Sequence, residues 1–369
     1  MMTTITIMIW VEKMSNDYSA VINAIRRKLR KIYNRAADEL KEKVQMVLKP
    51  LQSQINNIEK KVKSGEITKE EAKYKVTALL ASVDEHEIFS IAETLHKANT
   101  EADKEMKAKI PGVIASALSH ESYDIERELG EDIGLVPFSE EDINGWMNED
   151  EDIFDPGEID EDKDIEWNEE NIRRFFKTGT LLGLGASALV AYIVGTAVER
   201  NQESFFRRVF DVILGANDEG RQLAMSIATR RGAEMEKEWN ATRDFKTRDA
   251  HRELDGQRVP VDEPFKVDGE EIRFPRDPWA KAYLRCNCRC AMKRTRAHWR
   301  SEGEMRENIR DEHGIKPIIP RMTYSEWMEM KEQELGRDEI NRIIQEMKRE
   351  QARRAYRRRK RRLKQGGDT

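Results

Sequence analysis

Apolar residues recur every three or four positions along the first part of the chain. Between residues 18 and 63 they are Val21, Ile25, Leu29, Ile32, Ala36, Leu40, Val44, Val47 and Leu51. This spacing places them on one face of a helix. Pro50 lies near the end of the run and is expected to kink or divide that helix. The pattern predicts long N-terminal helices that form a bundle or a coiled-coil arm.

Start and stop signals divide the helical pattern further. Ser64 and Gly65 interrupt it, and residues 68–71 (TKEE) then form a capping box, which satisfies free N–H groups at a helix start. We expect more helix from there to about residue 128, and again from residue 200 as far as Trp239. Residues 323–326 (TYSE) are a second capping box and predict a C-terminal helix from about residue 322.

Residues 139–170 are strongly acidic. Sixteen of these 32 positions are Asp or Glu, and Lys163 is the single basic residue. Self-repulsion and the scarcity of apolar residues predict a flexible linker. Trp146, Phe154 and Trp167 are spaced along it as aromatic anchors that would dock on a partner.

Gly179–Val198 contains no charged residue over twenty positions. As one helix it would be about 30 Å long, which is enough to cross a bilayer. Four glycines and several small polar residues lower its hydrophobicity, however. We therefore predict a buried or assembly-interface helix, with membrane insertion as the alternative.

Composition shows that the charge is segregated. Charged residues make up 37% of the chain and apolar residues 38%, with a net charge of only −5. Residues 348–364 contain eleven Lys or Arg and one Glu. Such a basic run predicts sequence-independent contact with DNA phosphates. The alternatives are a solvated helix end or a segment that binds an acidic protein surface. The candidate DNA-binding residues are Arg353, Arg354, Arg357, Arg358, Arg359, Lys360, Arg361, Arg362 and Lys364.

The three cysteines lie within five residues, at positions 286, 288 and 290. A disulfide framework needs pairs spread over the fold, so synthesis in a reducing cytoplasm is predicted. The apolar run in residues 1–13 lacks a preceding basic region and a small-residue cleavage site. It is therefore not interpreted as a signal peptide.

Residues 239–290 differ from the helical remainder. Asp255-Gly256 and Asp268-Gly269 are turn signals between the short strand-like runs 258–261 and 271–274, and four prolines prevent a long helix. The predicted fold is mainly α with a small α+β C-terminal unit. We divide the chain into helical residues 1–130, an acidic linker 131–170, an α+β domain 171–300 and a basic helical region 301–369.

This α+β segment contains the candidate metal ligands. In an extended segment alternate side chains point the same way, so Cys288 and Cys290 would direct two thiolates toward one ion. His251 could add an imidazole, and the fourth ligand could be Cys286 or Asp249. One structural zinc ion suits such a donor set. The alternative is a set of reduced, buried cysteines without metal.

The order of motifs in this segment resembles the phage Mu F-like family. The matching positions are Trp239, Asp244, Arg248, His251, Leu254-Asp255-Gly256-Gln257, Phe265, Pro275, Asp277-Pro278 and Asn287-Cys288-Arg289-Cys290. The resemblance covers roughly residues 170–295. Arg276 stands where family members often have glycine, and Cys286 is additional to the usual pair.

The resemblance implies a minor head (minor capsid) protein that acts in head morphogenesis of tailed double-stranded DNA bacteriophages. It implies a virion protein inside the head near the portal vertex, made in the host bacterial cytoplasm. The implied partners are the portal protein, the major capsid or scaffolding protein and the packaged DNA. A role in DNA packaging or ejection would fit the basic tail.

Two other classes remain as alternatives. One is a metal-dependent nuclease or toxin-like enzyme that would use His251 with neighbouring acids and cysteines. No Walker A, G-x-S-x-G, H-E-x-x-H or G-x-G-x-x-G motif occurs, so no catalytic residue is assigned and no enzyme activity is predicted. The other is a membrane-active DNA ejection protein, suggested by Gly179–Val198.

Overall fold

The structure is a computed structural model that describes residues 16–80, 82–149, 154–182, 185–242, 244–296, 310–311, 314–315 and 323–365. The predicted N-terminal extension, residues 1–13, lies outside the described residues. The helices of the described part are α1 (Asn16–Leu48), α2 (Gln52–Lys63), α3 (Lys69–Leu80), α4 (Glu85–Lys107), α5 (Ile110–Leu129), α6 (Glu140–Glu149), α7 (Glu161–Leu181), α8 (Ala186–Arg230), α9 (Asp249–Leu254), α10 (Ala282–Arg285) and α11 (Tyr324–Gln365). The strands are β1 (Met235–Asn240), β2 (Arg258–Pro260), β3 (Phe265–Val267), β4 (Glu270–Ile272), β5 (Ala291–Arg296), β6 (Arg310–Asp311) and β7 (Gly314–Ile315). The predicted class, mainly α with a small α+β part, is confirmed.

Two compact units are formed from segments that alternate along the chain. One takes its described residues from Met1–Ala108 and Gly157–Val209, and the other from Lys109–Pro156 and Phe210–Thr369. The division therefore differs from the four consecutive segments expected from composition. The reason lies in the second unit, where α5 packs against the C-terminal half of α8 and against α11.

The apolar stripe of α1 enters the core of the first unit. Seven of the nine predicted stripe residues are buried, and Val21 and Leu51 are half-buried. The core around them includes Leu40, Val44, Ile91, Leu95, Ile172, Phe176, Leu189 and Ile193. The predicted division of the helix is also confirmed, because α1 ends at Leu48 and α2 begins at Gln52.

Both predicted capping boxes are formed. The amide of Thr68 donates to the Glu71 carboxylate at 2.8 Å, and the amide of Glu71 donates to the Thr68 hydroxyl at 3.1 Å. Thr323 and Glu326 make the same reciprocal pair at 2.6 and 3.3 Å. These bonds fix the starts of α3 and α11, as the sequence predicts.

The acidic segment differs from the flexible linker that its composition predicts. It contains α6 and the start of α7, and the side chains of Trp146 and Phe154 are 1% and 3% exposed. Trp167 is 39% exposed. Ile143, Trp146, Phe154 and Ile165 are buried, and most of the described acidic residues are exposed, so the charge density does not prevent folding.

Gly179–Val198 is not one continuous helix. Helix α7 ends at Leu181 and α8 begins at Ala186, so the uncharged run is shared between two helices. Leu189, Ile193 and Ala197 are buried in the core of the first unit. In the described part of the chain, none of the helices combines the length and hydrophobicity that a bilayer crossing requires.

The second unit contains a three-stranded antiparallel sheet in the order β2-β1-β5 and a β3-β4 hairpin. The helix predicted up to Trp239 ends instead at Arg230, and Gly232 adopts a φ of 97° that favours glycine. Residues 235–240 then alternate between buried and half-buried positions, which is the pattern of a strand with one face on a core. Trp239 pairs with Met292 of β5 in this sheet.

Candidate metal centre

Three side chains that the sequence singles out converge in the second unit. Nδ1 of His251 on α9 lies 3.8 Å from Sγ of Cys288 and 3.4 Å from Sγ of Cys290. The possible ligand atoms of all three residues lie within 4.8 Å of one another. The residues are 3%, 5% and 2% exposed, respectively, so the cluster is buried.

The histidine presents the correct nitrogen to the thiols. Its Nε2 lies 2.9 Å from the carbonyl oxygen of Leu284, an acceptor that only a protonated Nε2 can satisfy. The lone pair of Nδ1 then faces the two sulfur atoms. Histidines that bind metals generally donate the other ring N–H to a carbonyl or carboxylate in this way.

The spacing of the three atoms fits a metal ion. On tetrahedral zinc, a nitrogen at about 2.05 Å and a sulfur at about 2.3 Å are about 3.6 Å apart. The two nitrogen–sulfur separations, 3.4 and 3.8 Å, lie on either side of that value. The two nitrogen–sulfur separations are therefore compatible with one metal ion held by the three residues.

The two thiols differ in their readiness to lose a proton. A hydrogen bond with Cys288 is the main cause that lowers the pKa of Cys290 to about 6, against the opposing effect of burial. The same hydrogen bond, together with burial, raises the pKa of Cys288 above its usual range. Since the thiolate is the form that binds metal, Cys290 is a ready ligand and Cys288 must release a proton on binding.

Neither candidate for a fourth ligand joins this cluster. Cys286 is half-buried and follows α10, where its carbonyl oxygen accepts a bond from Nη2 of Arg248 at 2.5 Å. The Asp249 side chain is 98% exposed and pairs with Arg252. Within the described residues, the cluster thus supplies three protein ligands.

A small apolar core surrounds the cluster. The ring of Trp239 packs edge-on against His251, with centroids 5.6 Å apart, and against Phe265 at 5.3 Å. Leu254, Ile272 and Leu284 complete this core.

The Leu254-Asp255-Gly256-Gln257 motif has structural roles. An Asp255 oxygen accepts from the amide of Ala241 at 2.9 Å, and Gly256 has a φ of 78°. The Gln257 amide bonds to both backbone groups of Lys266, at 3.0 and 3.3 Å. The motif therefore fixes the turn between α9 and β2, where Asp255-Gly256 predicts one, and ties it to the β3–β4 hairpin.

Asp244 and Arg289 form a two-bond ion pair, with one N–O separation of 2.7 Å. The bond from Arg289 holds the pKa of Asp244 well below its usual range. This pair fixes the side chain of Arg289, the residue between the two buried cysteines, on Asp244.

Sequence reasoning missed two carboxylates of α8 that hold the C-x-C segment. Asp211 accepts from the amide of Asn287 at 2.7 Å, and Asp218 accepts from Arg276 at 2.6 Å. They are seven residues apart and so lie on one face of the helix. The available signal was the spacing of seven residues, which places two acidic residues on one face of a helix.

The basic run lies in the last part of α11, which extends to Gln365. The side chains of residues 350–365 lie outside the described part of the structure. Their predicted contact with DNA stays a prediction.

Comparisons with known proteins match the segment that contains the cluster. Residues 216–293 match the family described as Phage Mu protein F like protein. The minor head protein GP7 of Bacillus phage SPP1 is 31% identical over 116 residues, which cover 30% of this chain and 35% of that protein. The NAD(+)–arginine ADP-ribosyltransferase EFV of Enterococcus faecalis (strain ATCC 700802 / V583) is 43% identical over 73 residues, covering 18% of this chain and 15% of that protein.

The chain thus spans about a third of one of these relatives and less than a sixth of the other. No solved structure matches the chain at a significant level. The family match includes His251, Cys288 and Cys290 and most of the motif residues that carry the resemblance. Residues 216–293 of this chain are therefore similar to the Phage Mu protein F-like family.

Proposed function

We propose that this chain is a minor head protein of a tailed double-stranded DNA phage, and that it is a structural component of the virion. The main support for the proposal is that the family match, residues 216–293, contains the folded segment in which His251, Cys288 and Cys290 converge. The similarity to the minor head protein of phage SPP1 supports the same assignment.

The burial of the motif residues favours a structural role over catalysis. His251, Cys288 and Cys290 are at most 5% exposed, so a substrate would have to open the core to reach them. Asp244, Asp255 and the neighbouring arginines are bonded to the backbone or to each other. The relative that is a transferase matches over only 15% of its length, which gives its activity little weight here.

The proposal includes one structural zinc ion at the His251–Cys288–Cys290 cluster. Zinc accepts one imidazole and two thiolates, and its fourth position would be taken by a ligand outside the cluster. A structural zinc contributes on the order of 10 kcal/mol to the folding of small domains. The ion would join α9 to the segment that precedes β5, through a core that is otherwise small.

The position in the particle is the finer part of the proposal. We place the chain inside the head near the portal vertex, in contact with portal and with capsid or scaffolding protein. The basic end of α11 would contact packaged DNA through phosphates, with affinity that falls steeply as salt rises. Roles in packaging and ejection would follow from that position.

Deletion of the gene in a phage that encodes this chain tests the head assignment. The wild-type gene supplied in trans should restore infective particles, and mass spectrometry should find the chain in purified heads. His251→Ala should restore few particles, whereas Asp249→Ala, a change at an exposed neighbour on the same helix, should restore them fully. Full infectivity without the chain, or its absence from purified heads, would refute the assignment.

An enzymatic assay provides an independent arm of the same test. Purified chain incubated with NAD and an arginine-containing acceptor should transfer no ADP-ribose, and with plasmid and divalent metal it should produce no cleavage. Activity in either assay that His251→Ala abolishes would contradict the structural role.

A further inference from the structure

Arg276 occupies an unfavourable backbone conformation in the turn that follows β4. Its φ is 65°, in the left-handed region that favours glycine. A residue with a Cβ loses roughly 1–2 kcal/mol there. The side chain is also only 6% exposed, which adds the cost of burying a guanidinium. Contacts of the side chain must offset both penalties.

Those contacts reach the backbone of both thiol residues. Nη1 of Arg276 donates to the carbonyl oxygen of Cys288 at 2.9 Å and to that of Cys290 at 3.0 Å. Nη2 donates to the carboxylate of Asp218 on α8 at 2.6 Å. One guanidinium therefore joins the two residues that carry the sulfur ligands to a rigid helix.

A second bond holds the same segment to the same helix. Asp211, two helical turns before Asp218, accepts from the amide of Asn287. Asn287 also has a positive φ, of 54°, and it directly precedes Cys288. Three backbone groups of the segment 287–290 are thus fixed from one face of α8.

We propose that Arg276 is a positioning residue for the metal centre, which holds the two cysteine sulfur atoms at the spacing that a metal ion requires. This inference rests on the metal site of the proposed function. A glycine at this position would relieve the backbone but would leave the carbonyl groups of Cys288 and Cys290 without their buried donor. The arginine thus makes the backbone of this turn less stable but fixes the positions of the two cysteines.

Metal binding by the purified full-length chain tests this role. Two variants separate geometry from charge. Arg276→Lys keeps the positive charge beside Asp218 but has a single nitrogen in place of the two that contact the carbonyl groups and the carboxylate. The double variant Arg276→Gly, Asp218→Asn removes both charges of the buried pair, so that neither is left without its partner.

Zinc affinity should fall by about 10–100-fold in the double variant, the usual range for loss of a group that supports a ligand. Arg276→Lys should show a smaller loss. Cobalt(II) bound to the wild type should give sulfur charge-transfer bands, and these bands should shift or weaken in both variants. The control Asp268→Gly changes another residue of positive φ, 54°, that is exposed and outside the cluster. It should leave the zinc affinity unchanged.

The outcomes distinguish the two proposals. A wild-type chain that binds neither zinc nor cobalt would remove the metal site itself. A wild-type chain that binds both, with variants that show equal affinity and the same cobalt spectrum, would overturn the role of Arg276 and leave the site intact. Circular dichroism shows which variants remain folded. If the double variant does not fold, the conservative change Arg276→Lys still tests the role of Arg276.

Discussion

The docking of α11 on α5 in the second unit depends on a buried group of charges. The Glu126 carboxylate is fully buried and accepts from the amide of Leu135 at 2.8 Å and from the indole N–H of Trp327 at 2.8 Å. The ammonium of Lys331, 1% exposed, lies 3.0 Å from Glu126 and 2.7 Å from Asp132. We predict strong energetic coupling between Glu126 and Lys331.

Removal of either partner alone leaves an uncompensated buried charge. Lys331→Met should lower the free energy of unfolding of this unit by about 3–5 kcal/mol. Glu126→Gln should cost less, about 2–3 kcal/mol, because the ammonium keeps Asp132. The double variant replaces the pair by neutral groups of similar volume, which is often nearly neutral. We therefore expect a coupling energy of about 2 kcal/mol or more.

Hydrogen exchange resolved by peptide, combined with urea unfolding followed by tryptophan fluorescence, measures these effects. Amides of residues 324–347 should exchange faster in both single variants and regain protection in the double variant. Arg342→Met is the matched control, since it removes an exposed pair with Glu339 on the same helix and should change stability by less than about 0.5 kcal/mol. Additive single effects, or single effects as small as the control, would refute the reasoning.

Three further predictions concern other parts of the fold. His251→Ala should abolish zinc binding and the sensitivity of the melting temperature to a chelator, and a variant that stays sensitive would argue against this ligand. Burial lowers the pKa of Lys237 to about 7, whereas the pKa of a lysine in the unfolded chain is about 10.4. Between these two pH values the unfolded state therefore binds one more proton than the folded state. The unfolding free energy of the wild type should therefore rise with pH across this window relative to that of Lys237→Met, and parallel pH curves would exclude this effect. A Cβ on Gly220 would lie 2.5 Å from the carbonyl oxygen of Ile114, so Gly220→Ala should destabilise by about 1–3 kcal/mol in urea unfolding. Gly195, with open space around it in the same helix, should instead gain about 0.5–1 kcal/mol on change to Ala, and equal effects would contradict the close approach at Gly220.

The sequence predicts the helices best where the signal is local. The stripe on α1 and the capping boxes at Thr68 and Thr323 depend on residues within one or two helical turns, and the structure confirms them. The strand β1 was missed because the helical pattern before it was extended through the Gly232 stop signal. The alternation in burial of residues 235–240 is visible only in the structure, because the charged Lys237 occupies one of the buried positions.

Composition was a poor guide to the acidic segment. Average charge predicts a linker, whereas the placement of Ile143, Trp146 and Ile165 in the core decides that this segment is helical. Charged residues that face solvent add little to the free-energy cost of folding. Burial of the few apolar residues therefore determines the structure of this segment.

The convergence of His251, Cys288 and Cys290 could be predicted in part. Alternation in the C-x-C segment and the motif that contains His251 are visible in the sequence, but the approach of residues 37 positions apart depends on the tertiary fold. The roles of Asp211, Asp218 and Arg276 could not be predicted, because a residue type does not reveal a positive φ or a contact with a distant carbonyl group. The sequence alone shows that Arg276 stands where family members often have glycine, but the contacts that explain this arginine are visible only in the structure.

Quantification of this chain and of zinc in the same purified phage heads tests the central claim most directly. The account predicts that heads contain the chain together with one zinc ion per copy, and that heads assembled with His251→Ala lose that zinc. Heads that lack the chain, or that contain it with no zinc above the level of the His251→Ala particles, would contradict it.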